Sequence, residues 1–279
     1  MDTEKFKDKK SIQSRKDELK DEDFSNRDLS FIDLSGANLS GANLNYSNLT
    51  GTNLEKADLS QTSMIGVNLS DANLNESNCE DAGMSDSNMI GINLVSANLR
   101  GALLRNVTIC DADLTNTDLT ETLLIESKFI SSNLSNSILT NSFSSYADFT
   151  NSNLSRANMS RADFFKSNFS SANMNNASLE NSNLSDTNLT KSKLNSANLS
   201  GAFMGGANLD FSSLISANMI GADLKNTSMK GATLTNANLA STLLIETNFA
   251  DAKIEKMNIR DADYTTQNIE DLKSRGAQI

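Results

Sequence analysis

A nucleophile, a base to activate it and a ligand set for a metal are what most enzyme sites need, and this sequence supplies only the first. Serine, asparagine and aspartate are abundant and two thiols are present, Cys79 and Cys110, but the 279 residues contain no histidine. That absence removes the commonest general base, the usual activator of Ser or Cys and the commonest metal ligand. The cysteines lie 31 residues apart in different contexts, too few for a disulfide framework, and read as a small core residue and a surface thiol. Met84 and Met89 fall in a regular column of leucines and read as core, not as metal ligands. Many Asn-Leu-Ser and Asn-Leu-Thr triplets match the N-glycosylation acceptor, yet a repeat produces them in a chain that opens without a signal-like apolar stretch. No catalytic, cofactor or metal site is expected, so the chemistry left to this chain is recognition.

Recognition by charge is the first form it can take. Lys plus Arg number 24 against 35 Asp plus Glu, a net charge of −11, which disfavours direct nucleic-acid binding and anionic membranes and favours a basic protein partner. The acidity is local. Residues 57–127 hold 11 acids and two bases, Arg100 and Arg105, whereas residues 128–279 hold 13 of each. With no run of 18 apolar residues and no leader-like start, a cytoplasmic protein with no membrane contact is expected.

The elements that must carry these residues are set by one period. Every fifth residue from Phe24 to Ile269 is apolar with few exceptions: the 50 positions hold 29 Leu, 8 Met, 6 Phe and 4 Ile, with Cys79, Ser144 and Tyr264 as the rest. Two residues earlier, 42 of the 50 are Ala, Ser or Thr; one residue earlier, 34 are Asn or Asp. On an α-helix, positions five apart drift by roughly 140° and make no stripe. In a continuous strand an odd period sends successive leucines to opposite faces. The period works if the backbone turns every five residues, so that the small residue and the Leu share an inward face. Asn or Asp suits the turn entry because its side chain bonds nearby backbone and tolerates the left-handed region. The small residue is read as needed for lack of interior room; Glu22, Arg27, Ile32, Val67, Ile92, Val107, Met257 and Gln267 break that rule. About 14 prolines would be average for this length and none is present, in keeping with turns that each use a backbone donor.

Segments such as Ser35-Gly36-Ala37-Asn38-Leu39-Ser40-Gly41-Ala42-Asn43-Leu44 resemble the pentapeptide-repeat family, whose motif is Ala-(Asp/Asn)-Leu-x-x. The resemblance covers about residues 22–271. It implies an all-β fold, a right-handed quadrilateral parallel β-helix of about 12 coils, four pentapeptides per 20-residue coil, which at ~4.8 Å per coil makes a rod about 60 Å long. Phe129, Phe149 and Phe169, and likewise Ile90, Cys110 and Ile130, would then stack at 20-residue spacing. Residues 1–21, with Phe6, Ile12 and Leu19 among many charges, form either a capping helix or a disordered tail. At the other end Thr266 starts a short helix through Ile269, Leu272 and Lys273 that Gly276 ends, so that 272–279 close the repeat.

Two surfaces depart from the repeat. Leu103, Leu123, Phe143, Phe203 and Leu243 take the place of Asn or Asp on one face and should point outward, flanked by Ile125, Tyr146, Phe165 and Ile245. Thr122-Leu-Leu-Ile-Glu recurs 120 residues later from Thr242. Such a strip marks a partner or self-association surface; alternatively Phe143 turns inward in place of Ser144. Asp58, Glu80, Asp81, Asp118 and Glu121 would share another face as an acidic patch. The leading expectation is a non-enzymatic protein–protein interaction scaffold or regulator, with a homodimer through a terminal coil or the strip as a further possibility for its partner. The alternative comes from the resemblance: some family members mimic B-DNA and bind DNA gyrase or topoisomerase IV, protecting it from quinolones or toxins. Gyrase protectors of the quinolone-resistance type often carry loops between coils, and the unbroken register from 24 to 269 offers none.

Overall fold

The computed structural model describes residues 7–264 and 269–279; Phe6, Thr266 and Gln267 lie outside the described residues. The chain divides into two compact units, Met1–Ser137 and Ile138–Ile279. Both are built from the same five-residue step. Leu in the fifth-residue column and the small residue two before it are buried, the Asn or Asp between them is half-exposed, and two turn residues follow. Within each unit, parallel β-bridges join Asn/Asp-column residues to those 20 residues on, as in Asp33↔Asn53 and Asn198↔Asn218, so four pentapeptides make one coil of a β-helix.

Hydrogen bonding explains why each position has its residue type. The Leu N–H donates to a carbonyl in the next coil (Leu44 to Ser63, 2.7 Å), and the Asn N–H donates to the coil before (Asn48 to Arg27, 2.8 Å). The small residue closes a turn onto the preceding Leu (Ala37 to Leu34, 3.0 Å). The second turn residue donates onward as well (Tyr46 to Ile65, 2.9 Å). One N–H per pentapeptide remains, on the residue just after Leu. The Asn or Asp side chain two residues earlier accepts it, as Asp23 does from Ser25 (2.9 Å) and Asn198 from Ser200 (3.2 Å). The Asn amide then donates to the same oxygen one coil back, giving ladders such as Asp33–Asn53–Asn73–Asn93 at 3.0–3.2 Å.

The left-handed residue is therefore not the Asn or Asp of the turn entry, contrary to the sequence expectation. It is the second turn residue: at every fifth position from Asp21 to Asp261 φ is positive, whether the residue is glycine or not. This is the geometry of a type II turn, whose third residue must have φ > 0. Large side chains there lie over a glycine of the next coil, Phe31 over Gly51, Tyr46 over Gly66 and Phe211 over Gly231.

The interior also corrects the room argument. Val67, Ile92 and Val107 are fully buried at small-residue positions far from either end. Each is flanked along its column by Ser or Ala, as in Ser47–Val67–Ser87–Val107–Ser127, so space missing in one coil is supplied by its neighbours. Ile32 and Met257 are buried too, while Glu22 and Arg27 are half-exposed, the Arg27 guanidinium 5.7 Å from the Phe24 ring. The stacked phenylalanines appear as expected in the second unit, where the Phe149 and Phe169 rings lie 4.7 Å apart and parallel within 2°. Cys79 is buried and its thiol is pushed up to about 12 by burial, so it behaves as a core residue; Cys110 is half-exposed.

Both described ends are capped. Helix α1 (Lys9–Gln13), with a reciprocal Asp8–Ser11 capping box, and a 3-10 turn (Lys16–Glu18) bury Ile12 and Leu19 over the first coil. Lys9 reaches Asp28 (3.0 Å) and the Ser30 carbonyl (2.8 Å), and Lys16 reaches Asp33 (3.0 Å). The Asp33 carboxyl sits at about 2, lowered first by hydrogen bonds from Ser35 and then by Lys16. Helix α2 (Ile269–Ser274) begins before the 271 boundary expected for the repeat, buries Leu272, and is followed by a turn at Gly276, φ 95°. Its Arg275 donates to the Phe249 and Ala252 carbonyls at 2.9 and 2.7 Å. Gln278 then bridges Asn258 as a final strand.

Ser87 and Ser47 occupy the same column with opposite bonding. The Ser87 hydroxyl accepts from Val67 N–H (3.1 Å) and donates to the Met64 carbonyl (2.8 Å), bridging a turn that does not close directly. Ser47 Oγ is buried without a hydrogen-bond partner among the described residues. Ser87→Ala should cost about 1–3 kcal/mol in denaturant unfolding, while Ser47→Ala should be neutral or mildly stabilising.

Candidate interaction surfaces

The apolar face forms because Leu or Phe at the Asn/Asp position keeps the backbone bridge while directing its side chain outward. In the first unit Leu103 bridges Leu123; Leu103 is 48% exposed and Leu123 and Ile125 are half-buried. In the second unit Phe143 is 53% exposed while Ser144 is buried, so the inward alternative for Phe143 does not hold. Tyr146 and Phe165 meet edge to face at 5.9 Å, and Lys166 Nζ lies 5.0 Å above the Phe165 ring. Phe203 is 56% exposed, and Leu243 and Ile245 are half-buried.

These residues are not all brought together. Along the second unit's column, Phe143 is followed by Asp163 and Asn183 before Phe203, and Asp223 precedes Leu243. With coils ~4.8 Å apart, Phe143 and Phe203 are about 14 Å apart along the column. The face is a set of apolar islands separated by polar rungs. Each island gives up a hydrogen bond, since a Leu or Phe side chain cannot accept the N–H that Asn or Asp accepts elsewhere. The exposed aromatics Phe31, Tyr46 and Phe211 were not singled out from sequence. Their signal was legible as an aromatic at the second turn position, 20 residues before a glycine, and their rings pack on that glycine.

The acidic face is partly concave. Lys20, Asp21, Asp58, Asn78, Glu80 and Asp81 line a groove of about 590 Å³ in the first unit. Burial raises the Asp58 carboxyl, but hydrogen bonds from Ser60 and Asn78 outweigh it and leave it below its usual range, ionised at neutral pH. Asp118 and Glu121 lie outside this groove, and Arg100 pairs with Glu121 at 2.9 Å. Three of the five expected acids therefore share the groove. Among the described residues, no group of three or more His, Cys, Asp or Glu side chains could hold a metal ion, and no helix is long and apolar enough to cross a membrane.

Substitution separates surface from scaffold. Phe203→Asn should leave stability within about 1 kcal/mol, because the new side chain can accept the Gly205 N–H and join Asn183, offsetting the loss of the mostly exposed ring. Met204→Ala, one residue on but fully buried, should cost about 2–5 kcal/mol in the same unfolding experiment.

Comparison with known proteins agrees with this architecture. The pentapeptide-repeat family model matches in tandem copies over residues 23–61, 62–101, 102–141, 145–181, 172–210, 192–231 and 227–263. HetL, a pentapeptide repeat protein involved in heterocyst differentiation regulation from the cyanobacterium Nostoc sp. strain PCC 7120, is 29% identical, covering 78% of this chain and 92% of HetL with a TM-score of 0.54. A trypsin-treated variant of QnrB1, a plasmid-mediated fluoroquinolone resistance protein, is 18% identical over 66% of this chain and 94% of its own, with a TM-score of 0.40. No curated protein matches the sequence.

Proposed function

The chain belongs to the pentapeptide-repeat family, and from that premise we propose that it is a non-enzymatic scaffold or regulator that works by binding another protein through its apolar islands. One observation carries this reading: Leu103, Phe143 and Phe203 stand exposed at positions where Asn or Asp would have completed the hydrogen bonding of the coil. Side chains that forgo a local bond and face solvent are selected for something outside the fold. The likeness to HetL, involved in a regulatory process in its own organism, supports a regulatory role of the same general kind. Capture from lysate of the source organism tests it. Wild type should retain a partner that the double variant Leu123→Asp, Phe203→Asp loses while circular dichroism stays unchanged; equal capture by both proteins refutes the role of this face.

A second reading, a DNA-mimicking inhibitor or protector of a type II topoisomerase, is favoured by one observation, the ionised groove at Asp58, Glu80 and Asp81 within a segment of net charge −9. A basic protein surface would be its complement. In a gyrase supercoiling assay with and without a fluoroquinolone, this reading expects inhibition or protection at micromolar protein that Asp58→Asn and Glu80→Gln together abolish. Unaltered supercoiling in both conditions removes it.

A further inference from the structure

The first unit's apolar island contains more than exposed leucine. Along its column the Asn/Asp position holds Gly83, Leu103 and Leu123 in three successive coils. None of the three side chains can accept the N–H two residues later. Ser85, Arg105 and Ile125 thus present backbone donors with no hydrogen-bond acceptor among the described residues, one per coil, ~4.8 Å apart. At most equivalent positions of this unit that donor is taken by an Asn or Asp oxygen, as at Ser60, Asn75 and Thr115.

Two further features coincide there. Gly83 has no left-handed backbone to justify it, and a Cβ would meet only the Thr62 carbonyl at 3.9 Å, an ordinary contact. Its missing side chain therefore serves neither the turn nor the packing and leaves the floor beside Leu103 open. Arg105 is exposed and forms no ion pair among the described residues, although it lies in the segment with 11 acids; Arg100, the segment's other base, is bound to Glu121. An unpaired arginine between apolar side chains, with free backbone donors around it, has the composition of an interaction hot spot.

Resting on the reading of this face as a docking surface, we propose that the first-unit island, Leu103, Arg105, Leu123 and Ile125 with Gly83 beside them, binds a protein segment that sets a single carboxylate between apolar side chains. The carboxylate pairs with the Arg105 guanidinium, segment carbonyls or the second carboxylate oxygen take the N–H groups of Ser85, Arg105 and Ile125, and the apolar side chains cover Leu103 and Leu123. The net −9 of residues 57–127 opposes a polyanion, so the recognition element is one acid within an apolar contact and not an acidic stretch. This partner chemistry is opposite in sign to the basic partner expected from the overall charge.

Random peptides displayed on phage and panned on the full-length protein provide the probe. Selected sequences should combine Leu, Ile or Phe with one Asp or Glu, bind about tenfold or more weakly to Arg105→Glu, and regain affinity for that variant when their acid is changed to Lys. Arg105→Glu should keep the wild-type circular dichroism and melting temperature, because the side chain makes no ion pair or hydrogen bond among the described residues. Recovery of no peptide, of basic or acid-free peptides only, or of peptides indifferent to Arg105→Glu overturns the proposal. Peptides that lose binding on Leu123→Asp but not on Arg105→Glu would keep the docking face and discard the carboxylate, which separates the failure of this inference from that of the scaffold reading.

Discussion

The repeat in each unit depends on backbone hydrogen bonding between residues 19 to 21 apart. A coil of 20 residues has no helix ladder and no long strand of its own, so three of the five N–H groups in a typical pentapeptide find their partners in the coils on either side. That requirement fixes the register. A single inserted residue would move a Leu from the interior to the surface and a left-handed residue out of its turn, and both would propagate. The cost of holding non-glycine residues such as Lys191 and Arg156 at φ near 60°, roughly 1 kcal/mol each, is borne because the bonds to both neighbouring coils leave no other conformation open.

From this follows the division of labour within each pentapeptide. The Leu column supplies burial, the small-residue column supplies closeness, and the Asn/Asp column removes the last unpaired donor while its amide links coil to coil. Only the last of these can be given up cheaply. Its N–H lies at the surface, where water replaces the lost acceptor, so the net loss is of the order of 1 kcal/mol per site. The Asn/Asp column is thus where the coil can exchange a stabilising side chain for one that meets a partner, and Leu103, Phe143 and Phe203 occupy it.

The two candidate surfaces differ in what makes them. The acidic groove arises from carboxylates that the fold also uses: Asp58 is a rung of the side-chain ladder as well as a surface charge. The apolar islands arise from residues the fold does not use. Arg275 and the lysines of the amino-terminal cap show a third case, in which charged side chains stand in for the missing neighbouring coil at the two ends. The hydrogen bonds of the caps close the ladder at the described ends.

The five-residue period by itself determined the inward leucines and the buried small residues, because both follow from which residues share a face of a turning backbone; the 20-residue stacking of Phe149 on Phe169 followed from the resemblance to a known family, and the direction of Phe143 was left open. The period also made the core role of Cys79 legible. What the period could not show is which neighbour lies one coil away and what that neighbour accepts. The place of the left-handed residue, the room that Ser47 and Ser87 make for Val67, the separation of the apolar strip into islands and the unpaired donors around Arg105 were decided only by stacking, since each depends on atoms about 20 residues away in the chain and about 5 Å away in space.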